Sequence, residues 1–349
     1  HCSEFVPSEL REMARYNILY NNIRLGVINT KIHSKIKGKN IKERVKKIPI
    51  NRMATKKEIA EYILSSGGKR IRPLLALSSA KLLNYNGNDK DVCLASAVEL
   101  IHTATLLHDD VVDKSKKRRN NLTANNIWGN EASILVGDFL FSRAFELMVE
   151  TNSLGVLKTL SQASCKISEG EMNQLISQNK PNTTINEYIT IIKGKTAELF
   201  SAACKSGALI ATDNQNEINA LKNYGIELGI AYQLIDDALD YVPNNTLFDK
   251  SIGDDFKDGK ISYPIIVSWS NGTKKEKNFW DKVIRDLDQD TEDFNKAIDL
   301  IKKYNGIEKT YKLAKAHSQN AINALSVFKN SEDKESMVEL AEFSVQRLN

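Results

Sequence analysis

Only six prolines interrupt this chain, at positions 7, 49, 73, 181, 243 and 264, and the long intervals between them carry apolar residues at a helical period. In the run 91–113, Val92, Ala95, Ser96, Glu99, His102, Leu106, Asp109 and Asp113 follow one stripe, with Val98, Ile101, Ala104 and Leu107 beside it. So little polar surface predicts a buried helix. Comparable stretches occupy roughly 130–150, 154–178, 186–212, 215–242 and 291–347, with turns at Asn84–Asp89, Pro181–Thr184 and Pro243–Thr246. Strand-like alternation is missing, and Asn86-Gly87 joins two helical runs instead of a hairpin. The expectation is an all-α fold, with 59–349 as one domain behind a basic segment, 1–58, that is itself expected to be helical.

With 349 residues, 41% of them hydrophobic, the chain can bury a substantial core. Its mean hydropathy is −0.38, and no apolar stretch approaches the ~18–20 residues of a spanning helix, so an integral membrane protein is excluded. The first residues lack the order of a signal peptide. Cys2, Cys93, Cys165 and Cys204 lie far apart without a CxxC, which excludes a zinc or dithiol motif and predicts reduced thiols in a reducing compartment. The net charge of +5 is local, because residues 31–58 hold eleven Lys/Arg against Glu43 and Glu58. Such a run is a solvated face or a contact for anionic lipid head groups. Without interleaved aromatics or a nucleic-acid motif it does not predict nucleic-acid binding.

The chemistry concentrates in Asp109-Asp110-Val111-Val112-Asp113, at the C-terminal end of the buried helix. Asp109 and Asp113, at i and i+4, share a helix face, with Asp110 about a hundred degrees round. Two bare carboxylates ~4 Å apart repel by roughly 4 kcal/mol at an effective dielectric near 20, so this edge calls for a cation. Oxygen-only ligands suit Mg²⁺, which keeps waters and bridges carboxylates to phosphate oxygens. A second copy, Asp236-Asp237-Ala238-Leu239-Asp240, ends another long helix, with Gln233 one turn earlier. One acidic helix end is ordinary; two behind apolar runs are not. Were the two helices to face one another, six carboxylates would hold Mg²⁺ over a diphosphate.

Cations for the diphosphate are present in Gly67-Gly68-Lys69-Arg70-Ile71-Arg72-Pro73, in Arg118-Arg119, in Lys195-Thr196, and in Lys250 and Lys260. Arginine's fork and lysine's compact charge both suit phosphate oxygens. Each cluster read alone is surface charge, and Arg118-Arg119, so close behind an acidic run, reads equally as its electrostatic partner. Gly194-Lys195-Thr196 is not a phosphate-binding P-loop, because Ile189 stands where that motif's first glycine belongs.

From about Ile59 onward the chain resembles the trans-isoprenyl diphosphate synthases, specifically their long-chain polyprenyl members. The likeness rests on Gly67-Gly68-Lys69-Arg70-Ile71-Arg72-Pro73, both aspartate runs, Arg118-Arg119, Gly137-Asp138-Phe139-Leu140, Lys195-Thr196-Ala197, Gln233, and Gly259-Lys260 followed by Pro264. The resemblance implies a helical bundle around a central apolar cavity, usually a homodimer, that condenses isopentenyl diphosphate with an allylic diphosphate such as the farnesyl or geranylgeranyl ester. It implies about three Mg²⁺ ions with the bound diphosphate, held by Asp109, Asp110, Asp113, Asp236 and Asp240, with Asp237 nearby. Lys195, Lys250 and Arg118 are then expected on the allylic diphosphate. Lys69, Arg72, His102 and Arg119, with the backbone near Gly68, are expected on metal-free isopentenyl diphosphate, and Lys260 also on substrate. His102 read alone is an ordinary helix histidine; its place on the stripe of Asp109 favours the ligand. Thr196 and Gln233 are expected beside the reacting centre.

The charges are then expected to ionise the allylic C–O bond for attack by the alkene, while apolar walls protect the cation, and the resemblance implies that the departed diphosphate takes the proton. The tail must pass Ala104, Thr105 and Ile101, where a bulky aromatic would act as a floor. A small Ala104 predicts a product longer than C20, roughly C30 to C50, as for quinone side chains, and Ala104→Phe is expected to shorten it. A short-chain synthase and a regulatory subunit of a heteromeric synthase are the alternatives. A terpene cyclase fits less well, since the second motif is a full DDALD. The expected compartment is the cytoplasm, or an organelle entered after loss of a transit peptide, with transient membrane contact for product release. The sequence departs from the family at Asn120-Asn121, where Gly usually follows the two arginines, at Asp249 before Lys250, and at Ser262-Tyr263.

Overall fold

The computed structural model describes residues 69–87, 89–118, 121–242 and 253–346, which form an all-α protein, as the helical period predicts. The segment 1–58, Gly68, Arg119, Lys250 and the turn at 243–246 lie outside the described residues. The helices are α1 (Ile71–Leu82), α2 (Lys90–Val112), α3 (Ala124–Trp128), α4 (Asn130–Glu150), α5 (Leu154–Ser177), α6 (Ile185–Ile192), α7 (Glu198–Leu209), α8 (Gln215–Leu239), α9 (Asp254–Lys257), α10 (Tyr263–Asn271), α11 (Lys274–Trp280), α12 (Asp293–Lys303), α13 (Gly306–Ala324) and α14 (Glu332–Gln346). One two-residue antiparallel ribbon, β1 (Lys117–Arg118) against β2 (Asn121–Leu122), was not anticipated.

The chain packs as two compact units. Among the described residues, the first comprises 69–74 together with 89–118 and 121–152, and the second 75–87 together with 153–242 and 253–346. In the first, α2 lies along α4, and Leu94, Ala97, Val98, Leu100, Ile101 and Ala104 of α2 are fully buried. In the second, α8 packs against α7 and α13 around Ile230, Ala231, Leu234, Ile235 and Ala314, and a further core gathers Trp280, Phe256, Ile265 and Ile284. Close approach here depends on glycine: a Cβ at Gly207 of α7 would lie 2.3 Å from the Ala76 carbonyl oxygen of α1.

Two periodic stretches are more broken than their pattern predicts. The run 186–212 is α6 and α7 joined by a π-helical turn at Lys193–Ala197, and 291–347 is three helices. Asn305, at φ 55°, ends α12, and a 3₁₀ turn at Leu325–Val327 ends α13. Asparagine is among the few residues that enter the left-handed region readily.

Candidate active site

The first aspartate run closes α2. Asp113 caps the helix, Lys114 adopts a left-handed φ of 52°, and the amides of Ser115 and Lys114 return to the Asp110 and Val111 carbonyls at 3.0 and 3.3 Å. That is a Schellman ending made with lysine where glycine is usual. It holds Asp110 buried at the helix end while Asp109 and Asp113 keep part of their surface. The ribbon folds back so that Arg118 Nε donates to both oxygens of Asp110, at 3.0 and 3.2 Å, and Nη2 reaches Oδ1 at 2.9 Å. In this structure Arg118 is thus paired with Asp110. A carboxylate buried to this degree needs a charged donor, and the guanidinium of Arg118 is that donor.

Two turns earlier on α2, His102 Nε2 lies 3.0 Å from Nη1 of Arg72 at the start of α1, so two residues expected on one diphosphate are neighbours. Arg70, in a left-handed conformation at φ 49°, pairs with the buried carboxylate of Glu99. Lys69 is exposed beside them. His108, next to Asp109, is held by α4: its Nε2 lies 3.3 Å from the Ile134 carbonyl oxygen and 3.5 Å from Asp138, and its ring stacks on Phe141. Any Cβ at Gly137 would fall 2.2 Å from His108 Nε2, which gives the Gly137-Asp138-Phe139-Leu140 segment its physical meaning. Of the three positions expected to set product length, Ala104 and Ile101 have no exposed surface, whereas Thr105 keeps some and ties its hydroxyl to the His102 carbonyl at 2.7 Å.

In the second unit, Lys195 and Thr196 sit on the π-helical turn. Lys195 pairs with Glu171 at 2.6 Å. Thr196 Oγ1 donates to Gln233 Oε1 at 2.8 Å, Gln233 Nε2 donates to Asp237 Oδ1 at 2.7 Å, and the hydroxyl of Tyr188 donates to Asp237 Oδ2 at 2.6 Å. Burial, then the charge of Asp255, raises the Asp237 carboxyl to about 7, against the pull of its two donors. Burial likewise pushes the Tyr188 phenol well above its ordinary value. Asp240 is buried, accepts the Asp255 amide on Oδ2 at 3.2 Å, and takes the Gly253 amide on its carbonyl at 3.1 Å. Asp236 keeps part of its surface. Lys260 pairs with Asp258 at 3.2 Å.

Tyr188 and Asp255 are the residues that sequence reasoning missed. Asp255 lies within a run already rich in charge, whereas Tyr188 is 49 positions from its partner and carried no signal. Among the described residues, no three acidic, histidine or cysteine side chains are gathered closely enough to hold a metal ion by themselves. The donors nevertheless suit Mg²⁺, since they are all carboxylate oxygens, with Asp109, Asp113 and Asp236 partly exposed. Uncompensated carboxylates repel, and Arg118 and Tyr188 occupy the middle aspartate of each run.

Residues 54–301 match the family model for polyprenyl synthetase. The chain is 38% identical to the octaprenyl diphosphate synthase of Haemophilus influenzae over 290 residues, spanning 83% of this chain and 88% of that one. It is similar in structure to a decaprenyl diphosphate synthase from Rhodobacter capsulatus, with 39% identity and a TM-score of 0.81 over 89% of this chain and 94% of that one. It is also similar to a polyprenyl synthase from Caulobacter crescentus, solved with calcium and isoprenyl diphosphate, with 39% identity and a TM-score of 0.84 over 97% and 95% of the two chains. The matched span holds both aspartate runs, the Arg72–His102 pair and the Thr196–Gln233–Asp237 chain, and on that footing the chain belongs to the polyprenyl synthetase family of prenyltransferases.

Proposed function

We propose that this prenyltransferase is a long-chain polyprenyl diphosphate synthase that adds isopentenyl diphosphate repeatedly, in trans, to a farnesyl or geranylgeranyl primer. The observation that carries the reading is the pairing of Arg72 with His102 on the helix whose end presents Asp109 and Asp113. The start of α1 and the middle of α2 thus offer a cationic site for a metal-free diphosphate, and two turns further along α2 lies an acidic edge for a metal-bound one. The long-chain product, of the length used for quinone side chains in the reading above, is supported by the chain lengths named for the octaprenyl and decaprenyl relatives.

In this reading Asp109, Asp113, Asp236 and Asp240 hold the cations, and Asp110 joins them when Arg118 turns to the allylic diphosphate with Lys195 and Lys250. Bound Mg²⁺ would neutralise the charge that develops on the leaving diphosphate. Lys69, Arg72, His102 and Arg119, with the Gly68 backbone, bind isopentenyl diphosphate and fix its alkene, and Lys260 adds positive charge near the second run. Thr196 and Gln233 orient polar atoms at the reacting centre, and the apolar side of α2 keeps water from the allylic cation. A homodimer is supported by α5, which leaves Leu154, Met172, Leu175 and Ile176 exposed along its length. Among the described residues no helix is long and apolar enough to cross a membrane. The basic stretch 31–58 supports transient contact with an anionic lipid surface by a cytoplasmic enzyme.

The test is incubation of the purified protein with labelled isopentenyl diphosphate, farnesyl diphosphate and Mg²⁺, followed by chromatography of the dephosphorylated products. A ladder ending above C20 is expected. A ladder ending at C20 or below means a short-chain synthase, and no elongation refutes the assignment in favour of a regulatory subunit.

A further inference from the structure

We propose that Tyr188 is a positioning residue for elongation: through Asp237 it fixes which way the Gln233 amide faces, and so where the Thr196 hydroxyl points. The inference rests on the synthase reading above but concerns a residue that reading does not use.

The local sequence places Tyr188 firmly. α6 begins with a capping box in which the Thr184 hydroxyl accepts the Glu187 amide while Glu187 Oε2 accepts the Thr184 amide at 2.7 Å. Tyr188 follows at once, its amide bonded to the Thr184 carbonyl at 3.0 Å. Its ring is buried, with the Tyr263 ring stacked at 6.1 Å and 27°. A buried phenol needs a polar partner, and here that partner is the middle carboxylate of the second aspartate run.

The consequence is directional. The phenol O–H donates to Oδ2, so the other oxygen, Oδ1, is the one left facing the Gln233 amide. With Tyr188 on Oδ2, Asp237 presents Oδ1 to Gln233, and the amide must turn its nitrogen toward it. The amide oxygen is thereby committed to Thr196, whose hydroxyl proton it accepts at 2.8 Å. The lone pairs of Thr196 Oγ1 are then aimed away from Gln233, and Thr196 lies on the same turn as Lys195. Without the phenol, Asp237 loses one of two donors that set its rotamer, and the amide can reverse. Asp237 therefore works through hydrogen bonds inside the second unit and not as a cation ligand, which leaves the metals to Asp236 and Asp240.

Tyr188→Phe removes one hydroxyl and keeps the ring. Relative to the native protein, kcat for elongation is expected to fall about tenfold, while KM for both diphosphates and the Mg²⁺ concentration giving half activity change less than about twofold. Combining it with Thr196→Val is expected to cost little beyond the worse single variant, since both cut one chain of bonds. A second readout needs no turnover. The side-chain amide signal of Gln233 in protein labelled with ¹⁵N-glutamine, identified by its loss in Gln233→Glu, is expected to shift in Tyr188→Phe and to stay in Tyr263→Phe. An unmoved amide signal overturns the proposal, as do an unchanged kcat, a raised Mg²⁺ requirement, or effects that multiply independently in the double variant. If the native protein does not elongate at all, the synthase reading fails, and the amide signal alone still decides whether Tyr188 sets the amide.

Discussion

Substituting Gly170 by alanine tests the packing that carries Lys195. α5 passes the π-helical turn so closely that a Cβ on Gly170 would lie 2.5 Å from the Lys195 amide nitrogen, 2.8 Å from the Gly194 carbonyl carbon and 3.0 Å from the Lys195 Cα, where 3.4 Å or more is ordinary contact. All three neighbours are backbone, so none can rotate away, and the turn is blocked on another side, where a Cβ on Gly229 of α8 would lie 2.5 Å from the Ala197 Cα. Overpacking of this kind costs about 1–3 kcal/mol. Alanine returns about 1 kcal/mol of helix propensity, so the net loss is up to about 2 kcal/mol. In a chain of 349 residues, with an unfolding entropy of about 2.1 cal/mol/K per residue, that lowers Tm by up to about 3 °C. Because the displaced atoms belong to Lys195 itself, KM for the allylic diphosphate should rise several-fold while KM for isopentenyl diphosphate stays. Gly155→Ala on the same helix, where the nearest atoms are at 3.4 to 3.7 Å, is the control and should be neutral or stabilising. Differential scanning fluorimetry and steady-state kinetics on both variants decide the matter. A Gly170→Ala protein with raised Tm and unchanged KM would refute the reasoning.

Other perturbations separate the remaining pieces. Arg118→Met leaves the buried Asp110 carboxylate without its guanidinium and should cost about 1–3 kcal/mol in urea unfolding, the arginine's partial exposure keeping it below the usual range for buried pairs; a loss under about 0.5 kcal/mol would mean that water serves Asp110 as well. Thr105→Phe should shorten the product ladder, because Thr105 keeps surface, whereas Ala104→Phe should chiefly lower Tm, since Ala104 is packed on all sides. A full-length product from Thr105→Phe would place the chain-length wall elsewhere. Glu276 is held at about 2 by hydrogen bonds from Lys303, Thr273 and Tyr304, against 4.5 when unfolded. Its contribution is therefore complete above pH 4.5 and fades as pH falls toward about 2. The stability advantage of the native protein over Glu276→Gln should shrink across that window in thermal unfolding, and a constant gap would contradict the assignment.

The helix ends that sequence reading placed well are those where a continuous apolar period meets a turn residue, as at Asn130–Glu150 and Leu154–Ser177, because period and termination are both local properties. It failed where the backbone changed its hydrogen bonding without disturbing the period. The π-helical turn at Lys193–Ala197 keeps Ile191, Ile192 and Ala197 buried, in step with the helical period; only the glycine at 194, facing Gly170, hints at it. Asn305 could stop a helix because it tolerates a left-handed φ, yet an asparagine within a periodic stretch reads equally as solvent surface. The same distinction runs through the site. Spacing along one helix put Asp109 with Asp113 and Gln233 with Asp237, since i and i+4 share a face whatever the tertiary structure. It could not say that Arg118 would fold back onto Asp110, nor that a tyrosine 49 residues upstream would take Asp237. Those partners follow from a cost that spacing does not register: each middle aspartate is buried, and a buried carboxylate must find donors wherever the fold can bring them. The two runs solve that problem differently, one with a guanidinium and one with a phenol and an amide. Equal spelling, DD-x-x-D, thus does not make Asp110 and Asp237 equivalent: the partner of Asp110 is a partly exposed arginine, which in the function proposed above turns to an arriving diphosphate, whereas the partner of Asp237 is a tyrosine buried in the core.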